Sequence, residues 1–178
     1  MLTIILPGFS SLNKEWAEEI KKKLNLGHSV LVHSWKHWQT GNNADFKTDT
    51  EIKKVLEEIG EEEVNILAKS IGTRITMYLL EKIPSQIEKI ILCGIPLEGE
   101  GINEKWRKKY EILASFPGAK VLCLQNKDDP FGSFSKVKKF IHSISPQVLI
   151  KKMPRGDHQY PYLEEFQKFL SLRSLKGK

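Results

Sequence analysis

The sequence predicts an α/β fold of three layers, a six-stranded parallel sheet held between helices. Two observations carry that prediction. Six short apolar, β-rich runs recur along the chain, at residues 2–6 (LTIIL), 29–33 (SVLVH), 64–68 (VNILA), 89–93 (KIILC), 120–125 (KVLCLQ) and 147–151 (QVLIK), with longer, mixed-polarity stretches between them. Strands that alternate with helices favour a parallel sheet covered on both faces. The runs are also continuously apolar rather than alternating, as expected of strands buried on both sides.

Helical spacing marks the connections. Trp16, Ile20 and Leu24 fall at i, i+4, i+8, and Ile52, Val55, Leu56 and Ile59 at i, i+3, i+4, i+7. Further helices are expected over 71–83, 102–114, 134–143 and 161–173. Residues 34–47 (SWKHWQTGNNADFK) form a long polar connection with two tryptophans and a histidine. Connections of that length without regular structure usually perform a task. His37 reads as a surface histidine; His28, His33 and His142 carry no pattern that gives them a role. One domain over 1–173 accounts for the chain, followed by a short C-terminal tail at 174–178.

Composition narrows the function classes. The 178 residues are 40% hydrophobic and 28% charged, as in an ordinary globular protein. No apolar run approaches the roughly 18 residues of a membrane span. The N-terminus enters a strand at once and lacks the features of a signal peptide, so a cytoplasmic location is expected. The net charge of +6 is spread over interleaved runs such as EIKKVLEEIGEEE, which read as solvated helix faces. A nucleic-acid partner is therefore not expected, because a binding surface gathers its basic groups. Cys93 and Cys123 lie inside apolar strands and read as small buried hydrophobes. Neither a metal ion nor a cofactor is called for, and GxGxxG and GxxxxGK[ST] are both missing.

The most informative segment is VNILAKSIGTRITMYLL, residues 64–80. A strand runs into Ala68-Lys69-Ser70-Ile71-Gly72 and an apolar helix follows without a gap. A serine on such a strand–turn–helix stands on a sharp turn with its hydroxyl raised at the helix N-terminus. The same position also suits a plain N-cap. Serine chemistry further needs a base and an acid to orient that base. The fifth run leads into Asn126-Lys127-Asp128-Asp129-Pro130 and the sixth into Gly156-Asp157-His158. Both polar groups follow successive strands, at the strand ends where open α/β sheets place their sites. Either aspartate is also compatible with a turn before Pro130, and His158 with a helix cap. Pro7-Gly8-Phe9-Ser10 follows the first strand, where the glycine lets the backbone turn and frees amides for an oxyanion hole; the segment also suits a simple strand-to-helix turn with Ser10 or Ser11 as cap. One donor is assigned to Ile71 and the other to Phe9, with Ser10 as the alternative.

These segments together resemble the α/β-hydrolase superfamily over almost the whole chain. PGF is similar to its oxyanion turn (usually HGF or HGG), AKSIG to the nucleophile elbow, DDPFG to the acid loop and GDH to the histidine loop. Size and layout resemble the minimal, lidless serine hydrolases, including the retinoblastoma-binding serine hydrolase group. DPFG resembles the acid loop of dienelactone-hydrolase-like proteins, where the acid directly precedes proline, and this selects Asp129 over Asp128. The resemblance implies a reduced sheet in the order 2-1-3-4-5-6 and a Ser70–His158–Asp129 triad acting on a small ester or thioester. Ser10, Trp35, Trp38 and Lys69 are candidate contacts to that acyl substrate, although Trp35 and Trp38 also read as core or loop-packing residues and Lys69 as an exposed surface lysine. The competing reading is a protein-interaction module that keeps the fold with little turnover.

Overall fold

The computed structural model describes residues 1–99 and 101–172. The expected tail at 174–178 and the end of the last predicted helix lie outside the described residues. The strands are β1 (Leu2–Leu6), β2 (Ser29–Val32), β3 (Val64–Lys69), β4 (Ile87–Cys93), β5 (Val121–Asn126) and β6 (Leu149–Met153). All five pairings are parallel, and the order is β2-β1-β3-β4-β5-β6. The predicted order holds.

Side chains alternate across each strand, so a strand buried on both faces feeds two cores. In β3, Ile66 and Ala68 face one core and Leu67 the other; in β4, Ile90 and Leu92 oppose Ile91 and Cys93. Helices α3 (Thr48–Ile59), α4 (Ile71–Lys82) and α6 (Phe134–Ile144) cover the first core through residues such as Ile52, Val55, Ile75 and Val137. Helices α1 (Asn13–Lys23) and α7 (Leu163–Ser171) cover the second with Ala17, Ile20, Phe166 and Leu170. The result is three layers. No helix among the described residues is long and apolar enough to cross a membrane.

Several boundaries differ from expectation, and three of the differences have a visible physical cause or consequence. The last strand starts two residues late because Ser145–Val148 close a turn, with the Val148 amide donating to the Ser145 carbonyl at 3.2 Å. Val148 is buried in the core all the same, which is why it reads as strand. The predicted helix over 102–114 is a single turn, α5 (Glu104–Lys108), continued as 3₁₀ helix over Lys109–Ser115. Tyr110, Leu113 and Phe116 are buried at a spacing of three, which is the 3₁₀ period. The connection 34–47 is partly ordered as the short helix α2 (Lys36–Thr40) and one 3₁₀ turn at Asn43–Asp45.

Candidate active site

The C-terminal ends of β1, β3, β4, β5 and β6 form one rim, and the chemically distinctive residues gather there. Ser70 sits between β3 and α4 at φ 54° and ψ −118°, the one non-glycine residue with positive φ among the described residues. Such a conformation costs on the order of 1–3 kcal/mol and persists only where the surroundings impose it. Here they do. The Ser70 amide donates to the Cys93 carbonyl at 2.9 Å, tying the turn to β4, and the Thr73 amide returns to the Ser70 carbonyl at 2.9 Å. Gly72 lies so close to β1 that a Cβ on it would stand 2.1 Å from the Leu6 carbonyl oxygen.

After β5, Asp129 is fully buried and accepts three hydrogen bonds: the Phe131 amide on Oδ1 at 2.9 Å, and His158 Nδ1 at 2.7 Å and the Tyr160 hydroxyl at 2.6 Å on Oδ2. A buried carboxylate is tolerable when its lone pairs are met in this way. Asp128 instead is exposed and faces the Lys127 ammonium at 3.5 Å. The His158 loop is tied down by Asn126, whose Nδ2 donates to the carbonyls of Asp157 (2.7 Å) and Gln159 (2.8 Å). With Nδ1 engaged, the His158 ring presents Nε2, which is buried and has no hydrogen-bond partner. The imidazole packs over Gly94, where a Cβ would lie 2.8 Å from Cε1. Gly94 directly follows Cys93, the residue that anchors the Ser70 amide. Ser70 and His158 thus share one edge of the rim, and no hydrogen bond joins them among the described residues.

The turn after β1 completes the rim. Leu6 pairs with Ala68, so Phe9 and Ser70 leave neighbouring strands. Among the described residues neither the Phe9 nor the Ile71 amide has a hydrogen-bond partner. The Ser10 carbonyl accepts from Asn13 Nδ2 at 2.9 Å.

Several expectations about the surroundings are corrected. Trp35 is fully buried rather than lining a substrate wall, and its indole donates to the Gly8 carbonyl at 3.2 Å. His37 is buried rather than at the surface; its Nε2 and Trp38 Nε1 both donate to the Phe9 carbonyl at 2.7 Å. Lys69 is 1% exposed, because β3 turns its side chain into the α1 side of the sheet. Its ammonium is held by Asn13 Oδ1 at 2.6 Å and lies over the Trp16 ring, and burial lowers its pKa to about 8. It does not face solvent as a substrate contact would. His33, given no role above, is buried with Glu58 at 2.7 Å on Nδ1 and Glu51 at 3.0 Å on Nε2, joining the end of β2 to α3. Sequence reading also missed Tyr160. Its position two residues beyond His158, in an aromatic run Tyr160-Pro161-Tyr162, was the available signal.

Fold and rim together define the class: an α/β sheet with a strained serine turn and a carboxylate-held imidazole at its strand ends. Residues 15–168 match the model of the alpha/beta hydrolase domain, and the chain belongs to that family. No curated protein matches it by sequence. Among solved structures it is similar to alpha/beta hydrolase domain-containing protein 10 from mouse (17% identity, TM-score 0.65, covering 95% of this chain and 86% of that one). It is also similar to a Butyrivibrio proteoclasticus protein solved with ferulic acid bound (14% identity, TM-score 0.66, 96% and 86%). A third is a serine hydrolase without lid from Xanthomonas campestris (14% identity, TM-score 0.55, 95% and 78%). At these identities the likeness is one of fold.

Proposed function

We propose that the chain is a serine hydrolase cleaving a small ester or thioester, with Ser70 as nucleophile, His158 as base and Asp129 as the orienting acid. The observation that carries this reading is the imidazole itself. Its Nδ1 is held by a buried carboxylate while Nε2 is left free on the edge shared with a strained serine turn. His158 differs from the buried histidines: His33 spends both ring nitrogens on glutamates, and His37, whose Nδ1 is likewise without a partner, gives its Nε2 to a backbone carbonyl rather than to a carboxylate.

In this mechanism the Ser70 hydroxyl attacks the substrate carbonyl while His158 Nε2 takes its proton. Asp129 fixes the Nδ1–H tautomer and stabilises the imidazolium. The amides of Phe9 and Ile71 bind the oxyanion of the tetrahedral intermediate. His158 then protonates the leaving alcohol or thiol, and a water, activated by the same nitrogen, hydrolyses the acyl-enzyme and restores Ser70. Ser10 and Trp38, at the mouth of this loop, are the proposed contacts to the acyl substrate. The two unpaired thiols, Cys93 and Cys123, fit work in a reducing cytoplasm.

A fluorophosphonate probe and intact-mass analysis test the assignment. One phosphonyl group on wild type and none on Ser70→Ala is expected, with ester turnover reduced by about 10⁴-fold or more in the variant. Equal labelling or turnover in Ser70→Ala would remove the serine mechanism.

A further inference from the structure

Resting on the assignment of the Phe9 and Ile71 amides above, we propose that both oxyanion peptides are oriented and polarised from behind, through their carbonyl oxygens. Trp35 holds the Gly8 carbonyl, and Thr73, backed by Tyr110, holds the Ser70 carbonyl. Trp35, Thr73 and Tyr110 are positioning residues, since none touches the reacting atoms.

The geometry follows from the peptide plane. A trans peptide points its C=O and the next N–H in opposite directions, and no cis bond occurs among the described residues. Fixing the Gly8 oxygen therefore aims the Phe9 N–H, and fixing the Ser70 oxygen aims the Ile71 N–H. The Trp35 indole reaches Gly8 O at 3.2 Å from a fully buried position. On the other peptide, the Thr73 hydroxyl reaches Ser70 O at 2.6 Å and the Tyr110 hydroxyl at 2.6 Å. A threonine hydroxyl has one proton. If the backbone carbonyl receives it, the tyrosine must donate to the threonine oxygen. The chain Tyr110 O–H, Thr73 O–H, Ser70 C=O, Ile71 N–H then runs in one direction, and hydrogen bonds in such a chain strengthen one another. Burial supports the donor role of Tyr110, because it raises the phenol pKa and keeps the proton on.

A threonine bonding back to the carbonyl three residues before it is ordinary in a helix start. A fully buried tyrosine 37 residues away that donates to that threonine is not, and neither is an indole from the other end of the site applied to the equivalent atom. The loop is fixed one peptide further along as well: the Phe9 oxygen takes two donors, His37 Nε2 and Trp38 Nε1. A carbonyl can only accept, so His37 carries its proton on Nε2. This explains why Trp35 and His37 are folded under the loop, with Trp38 half-buried beside them.

The test uses Tyr110→Phe, Trp35→Phe, Thr73→Val and Thr73→Ser. Each is measured as kcat and KM on p-nitrophenyl acetate, normalised to fluorophosphonate-titrated active sites so that misfolded protein is not counted. A phenylboronic acid inhibitor reports affinity for the tetrahedral state. Removing an oxyanion donor outright costs about 10²–10³ in kcat, so misaimed donors are expected to lower kcat on the order of 10-fold at unchanged KM. Boronate affinity should fall in parallel. Thr73→Ser is expected to keep wild-type kcat, whereas Thr73→Val loses it. Tyr110→Phe added to Thr73→Val should cause little further loss, since both break one chain. Tyr110→Phe combined with Trp35→Phe should multiply, because they serve different amides. Wild-type kcat in Tyr110→Phe and Trp35→Phe, or equal kcat in Thr73→Val and Thr73→Ser, would overturn the proposal. If Tyr110→Phe fails to fold, the Thr73 pair decides. If Ser70→Ala itself turns over the ester normally, the reading of the active site falls; if only the clamp variants behave as wild type, the clamps fall and that reading stands.

Discussion

Replacing Gly72 by alanine tests the coupling between the serine turn and the loop after β1 most directly. The added methyl would stand 2.1 Å from the Leu6 carbonyl oxygen, 2.8 Å from its carbonyl carbon and 2.9 Å from its Cβ. The first contact is about 0.9 Å short of the closest approach a Cβ makes. A flexible side chain could swing aside, but two of these atoms are backbone, belonging to a strand paired on both edges. The strand and α4 must therefore part by close to an ångström. Overpacking of this kind costs roughly 1–3 kcal/mol. An obstruction made of backbone puts Gly72→Ala at the top of that range, about 3 kcal/mol, or roughly 6–12 °C in Tm for a chain of this size. The displaced residues lead straight into Phe9 on one side and Ser70 on the other. Misplacement by an ångström can cost on the order of 10² in turnover, so kcat should fall more than stability alone explains. Urea denaturation and kcat at 20 °C, where the variant remains folded, separate the two effects. A variant within about 0.5 kcal/mol of wild type would show that β1 and α4 do not approach as described.

Other outcomes follow from the same geometry. Asp129→Asn is expected to lower kcat about 10⁴-fold by allowing the wrong imidazole tautomer, whereas Asp128→Asn should leave it within about twofold; steady-state kinetics on the two neighbours checks the choice. Tyr160→Phe removes one of three donors to a buried carboxylate and the hydroxyl that accepts from the Asn126 amide at 3.2 Å. A loss of about 1.5–3 kcal/mol in urea unfolding is expected. Lys69→Met tests the buried amine, whose pKa falls from 10.5 to about 8. Because the folded value lies below the unfolded one, the unfolded state binds more protons between these pH values, and this lysine opposes folding below pH 8 by about 3 kcal/mol. The opposition fades as pH rises from about 8 to 10.5, so the stability of wild type relative to Lys69→Met should increase across that window. A flat difference in chemical denaturation from pH 7 to 10.5 would contradict it.

The fold was legible because burial on both faces leaves a mark in the sequence: LTIIL and KIILC can be little else than central strands. The strained turn was legible for a similar reason, since a strand that passes into a helix within Lys69-Ser70-Ile71 has no residues to spare for an ordinary loop. What sits behind the turn was not legible. Trp35 and His37 act through single polar atoms on backbone carbonyls tens of residues away, and Tyr110 through one hydroxyl on Thr73; a carbonyl has no residue type for a pattern to register, and a lone distant hydroxyl pair sets up no spacing. Trp35 therefore reads in the sequence as core or pocket wall and His37 as a surface histidine, and Tyr110 draws no notice. Lys69 misled as well. Lysine is almost never fully buried, so exposure was the natural expectation until its amide partner Asn13 and the Trp16 ring were placed beside it.

Lys69 and the aromatic segment also explain how the loop after β1 is held steady. The Gly8–Ser10 turn is gripped from the α2 side by Trp35, His37 and Trp38, and from the α1 side by Asn13, which donates to Ser10 O while accepting from the Lys69 ammonium. That ammonium also meets Gln159 Oε1 at 3.4 Å, next to His158. A buried cation is an expensive fastener, and its value lies in connecting the loop after β1 with the loop after β6 across the strand that carries Ser70. Lys69→Met should therefore gain stability below pH 8 and yet lose turnover. A variant that gained both would mean that the bridge contributes nothing to the alignment of the site.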